Sequence, residues 1–446
     1  MTAPLWAVSG AEAIRLVATG QAAVSDLAAA ARQRAEDIDG GIGAWRIRDD
    51  EAVAAAAKEL DGGSGPLAGL LVGVKDVIDT ADLPTGYGSE LFSGHQPTAD
   101  ADVVRTLRRA GATVLGKTES TEFAMFRPAR TRNPFDPERT PGGSSSGSAA
   151  AVASGMAAVA LGTQTAGSVV RPAAYCGVYG YKPARGWTST RGIWLLAQHL
   201  DTVGLFARRA ADLVVMYRAL AGPTVSRVAA THLRPAAVPG RAAVLDTDPW
   251  APADGDVDAA IASVAGRLAD HGWAIDEMKM PAAWRALPEL QETVMAVEVA
   301  HNLRAALGSR VDQISEAARM IIDWGSATTA PAYLSALAAV DAAVDAAASL
   351  AEHFDLLLCP SAPGVAPHGL ASTGDPVMCR PATVLGLPAA NLPYARRPDG
   401  MPVGVQAISP RFDDAAFLAD LVTVEAAFPA EDVAPLAQPV QTTYRS

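Results

Sequence analysis

The sequence predicts one large α/β domain with a mixed, mostly parallel central β-sheet and helices on both faces. Three observations carry that expectation. Short apolar runs bounded by Gly or Pro alternate with longer Ala-rich stretches of helical period, as strands do when covering helices follow them. Half of the 446 residues are hydrophobic and only 19% are charged, which allows an extensive core. Neither a repeat nor a long linker divides the chain, so its length reads as one extended unit.

Taken in order, residues 11–60 read as Ala-rich amphipathic helices interrupted at Gly40-Gly-Ile-Gly43, and Gly62-Gly-Ser-Gly-Pro66 marks a loop. Leu70-Leu-Val-Gly-Val74 is an apolar run between breakers and reads as a buried strand. A helix over 101–110 leads to a strand at Ala112-Thr-Val-Leu115. A glycine-rich loop at 141–147 opens a small-residue helix over 148–155, and 157–161 is the next strand candidate. Beyond Gly204 the pattern turns helical again, with a strand at 242–245, helices near 256–271, 292–306, 311–323 and 331–350, and a late central strand at 355–359.

Composition excludes several classes of function. A net charge of −12 argues against nucleic-acid and anionic-membrane surfaces, which need clustered Lys and Arg; Arg127, Arg130 and Arg132 form the best basic patch. Cys176, Cys359 and Cys379 are too scattered for a disulfide framework, and no C-x-x-C or H-E-x-x-H is present, so no metal or other cofactor is expected. The first ten residues lack the pattern of a secretory signal, and no uninterrupted apolar run approaches twenty residues. The expectation is a soluble cytoplasmic protein whose partner is a small molecule, with no nucleic acid and no membrane. Exposed Ala-rich helices would permit a homodimer.

Three segments belong together: Gly73-Val-Lys-Asp76, Thr140-Pro-Gly-Gly-Ser-Ser-Ser-Gly-Ser148 and Gly162-Thr-Gln-Thr-Ala-Gly-Ser-Val-Val-Arg-Pro172. Singly, each has a bland reading: a strand end at the surface, a turn with a serine N-cap, a second turn. In this order, with Gly116 to Met125 between the first two, Tyr175 to Pro183 after the third, and Pro388-Ala-Ala-Asn-Leu-Pro393 and Met401-Pro-Val-Gly-Val-Gln406 late in the chain, they resemble the amidase signature family. The likeness is close over 65–210 and 353–425 and rests elsewhere on length and helicity.

The resemblance implies a single amidase domain over 1–446: N-terminal helices at 1–62, the signature core at 63–215, a variable substrate-side helical region at 216–350, and the rest of the core sheet at 351–446. It implies Ser168 as nucleophile, Ser144, preceded by a cis peptide bond, as proton relay, and Lys75 as base. Backbone N–H groups of Thr165, Ala166, Gly167 and Ser168 would form the oxyanion hole. Arg171 is the candidate for a substrate carboxylate or carbonyl, or else a structural clamp on neighbouring carbonyls, with Met125, Gly143 and Gln198 as further substrate contacts. Pocket walls are expected from 120–135, 190–200 and 290–390.

The chemistry explains these residue types. An amide carbonyl is a poor electrophile, so a covalent route splits its hydrolysis into acylation and deacylation. A lysine base must be neutral, yet at its ordinary pKa only about one molecule in 2,500 is neutral at pH 7. Moving that pKa to near 7 takes about 4–5 kcal/mol of differential solvation, which a buried strand end can supply. Asp76 does not oppose this if its side chain faces the other way.

Departures from the family pattern sharpen the reading. Ala166 stands where glycine is common, so either positive φ is not required there or the loop is slightly altered, and the arginine after the nucleophile sits one place later than usual, as in a subset of small-molecule amidases. The expected activity is hydrolysis of a linear amide of a small molecule through an acyl-serine, in the malonamidase-like or carboxybiuret-hydrolase-like branch. The main alternative is the glutaminase subunit of a tRNA-dependent amidotransferase, but Arg191 to His199 lacks the S-S-L-D form associated with it. A catalytically silent binding scaffold is the other. Two formal motif matches are rejected. Gly111 to Thr118 satisfies the phosphate-loop pattern with strand-like residues in place of a loop. Gly143 to Gly147 satisfies the hydrolase elbow but leaves the lysine strand unexplained. His199 and Asp201 read as scaffold, since the lysine mechanism needs no histidine.

Overall fold

In a computed structural model that describes residues 3–63, 65–221, 239–429 and 436, the chain forms one α/β domain around an eleven-stranded sheet. The strands are β1 (Trp45–Ile47), β2 (Leu71–Lys75), β3 (Thr113–Thr118), β4 (Val159–Gln164), β5 (Tyr179–Lys182), β6 (Thr202–Ala207), β7 (Arg241–Leu245), β8 (Ala274–Met278), β9 (Leu356–Pro360), β10 (Ala389–Arg396) and β11 (Pro402–Ile408). Their order is β1-β3-β2-β4-β6-β5-β10-β11-β9-β7-β8. Residues 222–238 of the expected variable region lie outside the described residues.

The sheet is mixed in a particular way. β3, β2 and β4 run parallel, as do β9, β7 and β8, and the antiparallel strands β6, β5, β10 and β11 join these two groups. The five strands anticipated from apolar runs are β2, β3, β4, β7 and β9. The central antiparallel strands are new, and β6 stands where helix was expected. Every residue of β2, β4, β5, β6, β9 and β11 is buried, because helices cover both faces; continuous apolar runs follow from that double burial.

Helices Gly10–Ala18, Val24–Ile42 and Asp50–Glu59 form the N-terminal part, and the second ends at Gly43, whose left-handed backbone (φ 66) closes it. Ser146–Ala153 is wholly buried, and its small side chains let it lie close on β4. Helices Leu287–Leu307, Glu316–Ala327 and Ala330–Ala351 pack on one another beside the catalytic end of the sheet. Ala330–Ala351 has the length and composition to cross a membrane; here it buries one stripe, Ala336, Val340, Ala343 and Ala347, with Tyr333, Leu337 and Val344 half-buried beside it.

Candidate active site

Lys75 is the last residue of β2, flanked by parallel β3 and β4, so its side chain emerges at the carboxyl ends of three neighbouring strands. It is fully buried, and its Nζ lies 2.7 Å from Ser144 Oγ and 2.9 Å from Thr163 Oγ1. Burial holds its pKa well below the ordinary lysine range, and the Asp201 charge opposes that only in part. Asp76 faces the other way: it accepts from Gly86 N and lies 3.7 Å from Lys117 Nζ. Lys117, in the rejected phosphate-loop motif, sits within β3 and donates to Ile78 O and Thr85 Oγ1, which leaves no phosphate cradle.

Ser144 enters through a loop that other groups pin in place. Gly142 has φ 80, and a Cβ there would lie 2.7 Å from Pro172 Cα, so only glycine fits. The Gly143–Ser144 peptide bond is cis, and Gly143 O accepts from Arg171 Nη2 at 2.8 Å.

Ser168 ends the loop that follows β4. Outward groups grip that loop: Gln291 Nε2 donates to Thr165 O (2.9 Å), Thr165 Oγ1 to Asp201 Oδ1 (2.6 Å) and Thr383 Oγ1 to Ala166 O (2.7 Å). Gln164 Oε1 accepts from the N–H groups of Val169 and Val170. Among the described residues, none accepts from the N–H groups of Thr165, Ala166, Gly167 or Ser168. The loop that carries these free donors lines a cavity. Ala166 keeps a negative φ, as its side chain requires.

That cavity is lined by Thr165 to Ser168, Arg171, Ala124, Met125, Phe126, Leu196, Met295, Val299, Ile321, Thr373 and Pro376. All three stretches expected to build its walls contribute. Phe123 and Ala124 hold left-handed backbone (φ 50 and 59), strain of the kind kept at functional sites; Phe123 is fixed by its N–H to Tyr87 O and a stack on Trp194. Among the described residues, Arg171 is the one charged residue lining the cavity. It donates to Gly143 O and Thr373 Oγ1, while its buried Nε and Nη1 have no partner among the described residues, and burial lowers its pKa.

The structure thus brings Lys75 to Ser144, and gathers Ser168, the loop donors, Met125 and Arg171 around one cavity, with Gly143 held by Arg171. Gln198 is the exception. Asp201 Oδ2 accepts from the N–H groups of Leu196 and Ala197, turning the loop so that Leu196 faces the cavity and Gln198 lines a neighbouring groove with Arg185 and Trp187. Sequence reasoning missed Thr163, Thr373, Gln291, Met295 and Val299. The last three follow i, i+4, i+8 spacing, a helical stripe that could have been found. The basic patch is neutralised: Arg127, Arg130 and Arg132 lie 3.6, 2.8 and 3.6 Å from Glu122, Glu119 and Glu138.

The family model for amidases matches residues 26–418. The chain belongs to the amidase family. It is 34% identical over 472 residues to the A subunit of glutamyl-tRNA(Gln) amidotransferase from Thermus thermophilus, covering 95% of this chain and 98% of that one. Among solved structures, 6-aminohexanoate cyclic dimer hydrolase with its substrate superposes with a TM-score of 0.86 at 25% identity, covering 98% and 99% of the two chains. An inhibitor-bound vestigial protein complex that reveals the evolutionary origins of an s-triazine catabolic enzyme superposes at 0.85 and 26% identity, covering 97% and 100%. The chain is therefore an amidase-family hydrolase of carbon–nitrogen bonds.

One expectation is overturned. A partner set of a small-molecule amide with no nucleic acid does not stand beside these relatives, whose name ties them to glutamyl-tRNA(Gln) and makes each one subunit of an amidotransferase. The error was physical. Net charge describes the whole chain, and a subunit can serve a nucleic-acid substrate without a basic surface of its own.

Proposed function

We propose that the chain hydrolyses a primary carboxamide to ammonia and a carboxylic acid through an acyl-Ser168 intermediate, as the ammonia-producing subunit of an amidotransferase. The observation that carries the chemistry is the buried 2.7 Å contact between Lys75 Nζ and Ser144 Oγ beside the cavity that Ser168 lines. The setting is supported by the full-length likeness to these amidotransferase subunits.

In this reading Ser168 Oγ attacks the amide carbon while its proton passes to Ser144 Oγ, and the Ser144 proton passes to Lys75 Nζ. The carbonyl oxygen becomes an oxyanion held by the free N–H groups of 165–168, each such donor worth roughly 3–4 kcal/mol to the transition state. The C–N bond breaks as Ser144 protonates the leaving nitrogen and recovers a proton from Lys75. Water then repeats the relay on the ester and frees the acid. Thr163 Oγ1 orients the lysine throughout.

A second reading, free-standing hydrolysis of a short acidic amide, is favoured by one observation: the Nε and Nη1 of Arg171, without a partner among the described residues, suit a carboxylate close to the scissile group. One experiment tests both. Ammonia release by the purified chain is measured with glutamine, malonamate, biuret-like and aryl amides, alone and with amidotransferase partner subunits and glutamyl-tRNA(Gln). Glutamine turnover that rises with the partners supports the first reading. Malonamate turnover by the chain alone supports the second, and no release from any amide under either condition removes both.

A further inference from the structure

Helix Leu287–Leu307 comes from the region with the least sequence signal, yet it meets the site from Gln291 to Asn302. One stripe carries Gln291, Met295, Glu298, Val299 and Asn302. Met295 and Val299 line the cavity, and the polar members hold backbone of the two loops that shape it. Gln291 donates to Thr165 O and Asn302 Nδ2 to Leu196 O (2.8 Å). Glu298 sits between them as a buried carboxylate. Its Oε2 accepts from His199 N (3.1 Å), and its Oε1 accepts from Tyr333 Oη (2.6 Å) and meets His199 Nδ1. Arg185 Nη1 holds the His199 carbonyl from the far side at 2.5 Å.

The loop so held ends at Asp201, which accepts from Leu196 N, Ala197 N and Thr165 Oγ1. Tyr333, Glu298, His199, Asp201 and Thr165 thus form one continuous path from the outermost helix to the first donor of the oxyanion loop. A buried carboxylate needs such partners. These partners fix a loop that has no regular secondary structure of its own.

We propose that Glu298 is a positioning residue for the oxyanion loop: through His199 and Asp201 it holds Thr165 and Leu196 where the tetrahedral intermediate forms. The inference rests on Ser168 as nucleophile. It assigns the helical region 287–351 a part in catalysis beyond shaping a wall. His199, tempting as a base in sequence, serves as the handle by which the helix grips the loop.

The test uses the full chain and its best amide. Glu298→Ala leaves the His199 N–H and Tyr333 hydroxyl without an acceptor; kcat falls about 100-fold with KM changed little, because a displaced donor is missed chiefly in the transition state. Glu298→Gln keeps an acceptor for His199 N and recovers kcat to within about fivefold of the parent. Tyr333→Phe, on the outer helix and safe for folding, lowers kcat about threefold to tenfold. The affinity of phenylboronic acid, which forms a tetrahedral adduct on the serine, weakens in step with kcat. A folded Glu298→Ala with unchanged kcat, a loss confined to KM or melting temperature, or boronate affinity that ignores the series overturns the proposal. If Glu298→Ala does not fold, unchanged kcat and boronate affinity in Tyr333→Phe overturn it equally. Activity surviving Ser168→Ala would instead overturn the reading beneath it.

Discussion

Lys75 and Lys117 occupy adjacent parallel strands, and both are completely buried, yet their surroundings prepare them for opposite tasks. Lys117 has Asp76 at 3.7 Å and Asp79 nearby, so burial brings its pKa down only to about 8 and it stays largely protonated at neutral pH. Lys75 meets two hydroxyls, Ser144 and Thr163, and the charge of Asp201 opposes the effect of burial only in part; its pKa falls well below the normal range. Equal burial with a carboxylate gives a structural cation, and equal burial with hydroxyls gives a base. What separates the two is where each strand's neighbouring loops place an acid.

The largest effect should come from removing the proposed base. Lys75→Ala, and equally Lys75→Arg, whose guanidinium cannot lose its proton, should lower kcat/KM at least about 10⁴-fold while the protein still melts cooperatively. Steady-state ammonia release checks this, and a Lys75→Arg enzyme that keeps even a tenth of its activity would break the contrast. Next, Lys117→Met should spare chemistry to within several-fold but destabilise the fold by about 3–5 kcal/mol, because Asp76 is left buried and unpaired. Denaturant unfolding beside kinetics reads both quantities.

A smaller effect sharpens the electrostatics. Asp201, buried and pushed up to about 6, raises the Lys75 pKa through its charge. Asp201→Asn removes that charge, so the acid limb of the kcat/KM profile should move to lower pH, alongside a loss of about tenfold from the loosened Thr165 contact. A limb that moves upward would contradict the assignment. A linkage effect follows, read in stability and not in rate. The folded state holds Lys75 less protonated than the unfolded chain does, so this residue makes stability rise with pH from its lowered folded pKa up to about 10.4, the unfolded value. Lys75→Met should flatten that rise, and melts across pH measure it.

Much of this was legible in the sequence, for physical reasons that differ by region. Strands β2, β4 and β9 are buried on both faces and announce themselves as apolar runs between breakers. The loops at 141–148 and 163–172 must fit chemistry and tight backbone, so their Gly and Ser residues stand in a fixed order. Strands β5 and β10 were invisible because Tyr179-Gly-Tyr-Lys182 and the Pro-containing Ala389 to Arg396 carry neither alternation nor a long apolar run. Their places come from pairing across the chain, Ala389 with Lys182 and Asn391 with Gln406, which no local pattern encodes. Glu298 and Gln291 were missed for the same reason: on a helix of mixed composition, a buried carboxylate and a surface one look alike until the loop they grip is folded against them. The partner expectation failed because it inferred a local surface from a whole-chain sum.

The central claim is that Ser168, served by Ser144 and Lys75, carries the acyl group. Its most direct test is to quench the enzyme during turnover of a slow aryl amide and map the acyl mass by peptide mass spectrometry. The account predicts the added mass on the peptide containing Ser168, absent from Ser168→Ala and greatly slowed in Lys75→Ala. Acyl mass on Ser144 or Ser145, or a full burst from Ser168→Ala, would contradict it.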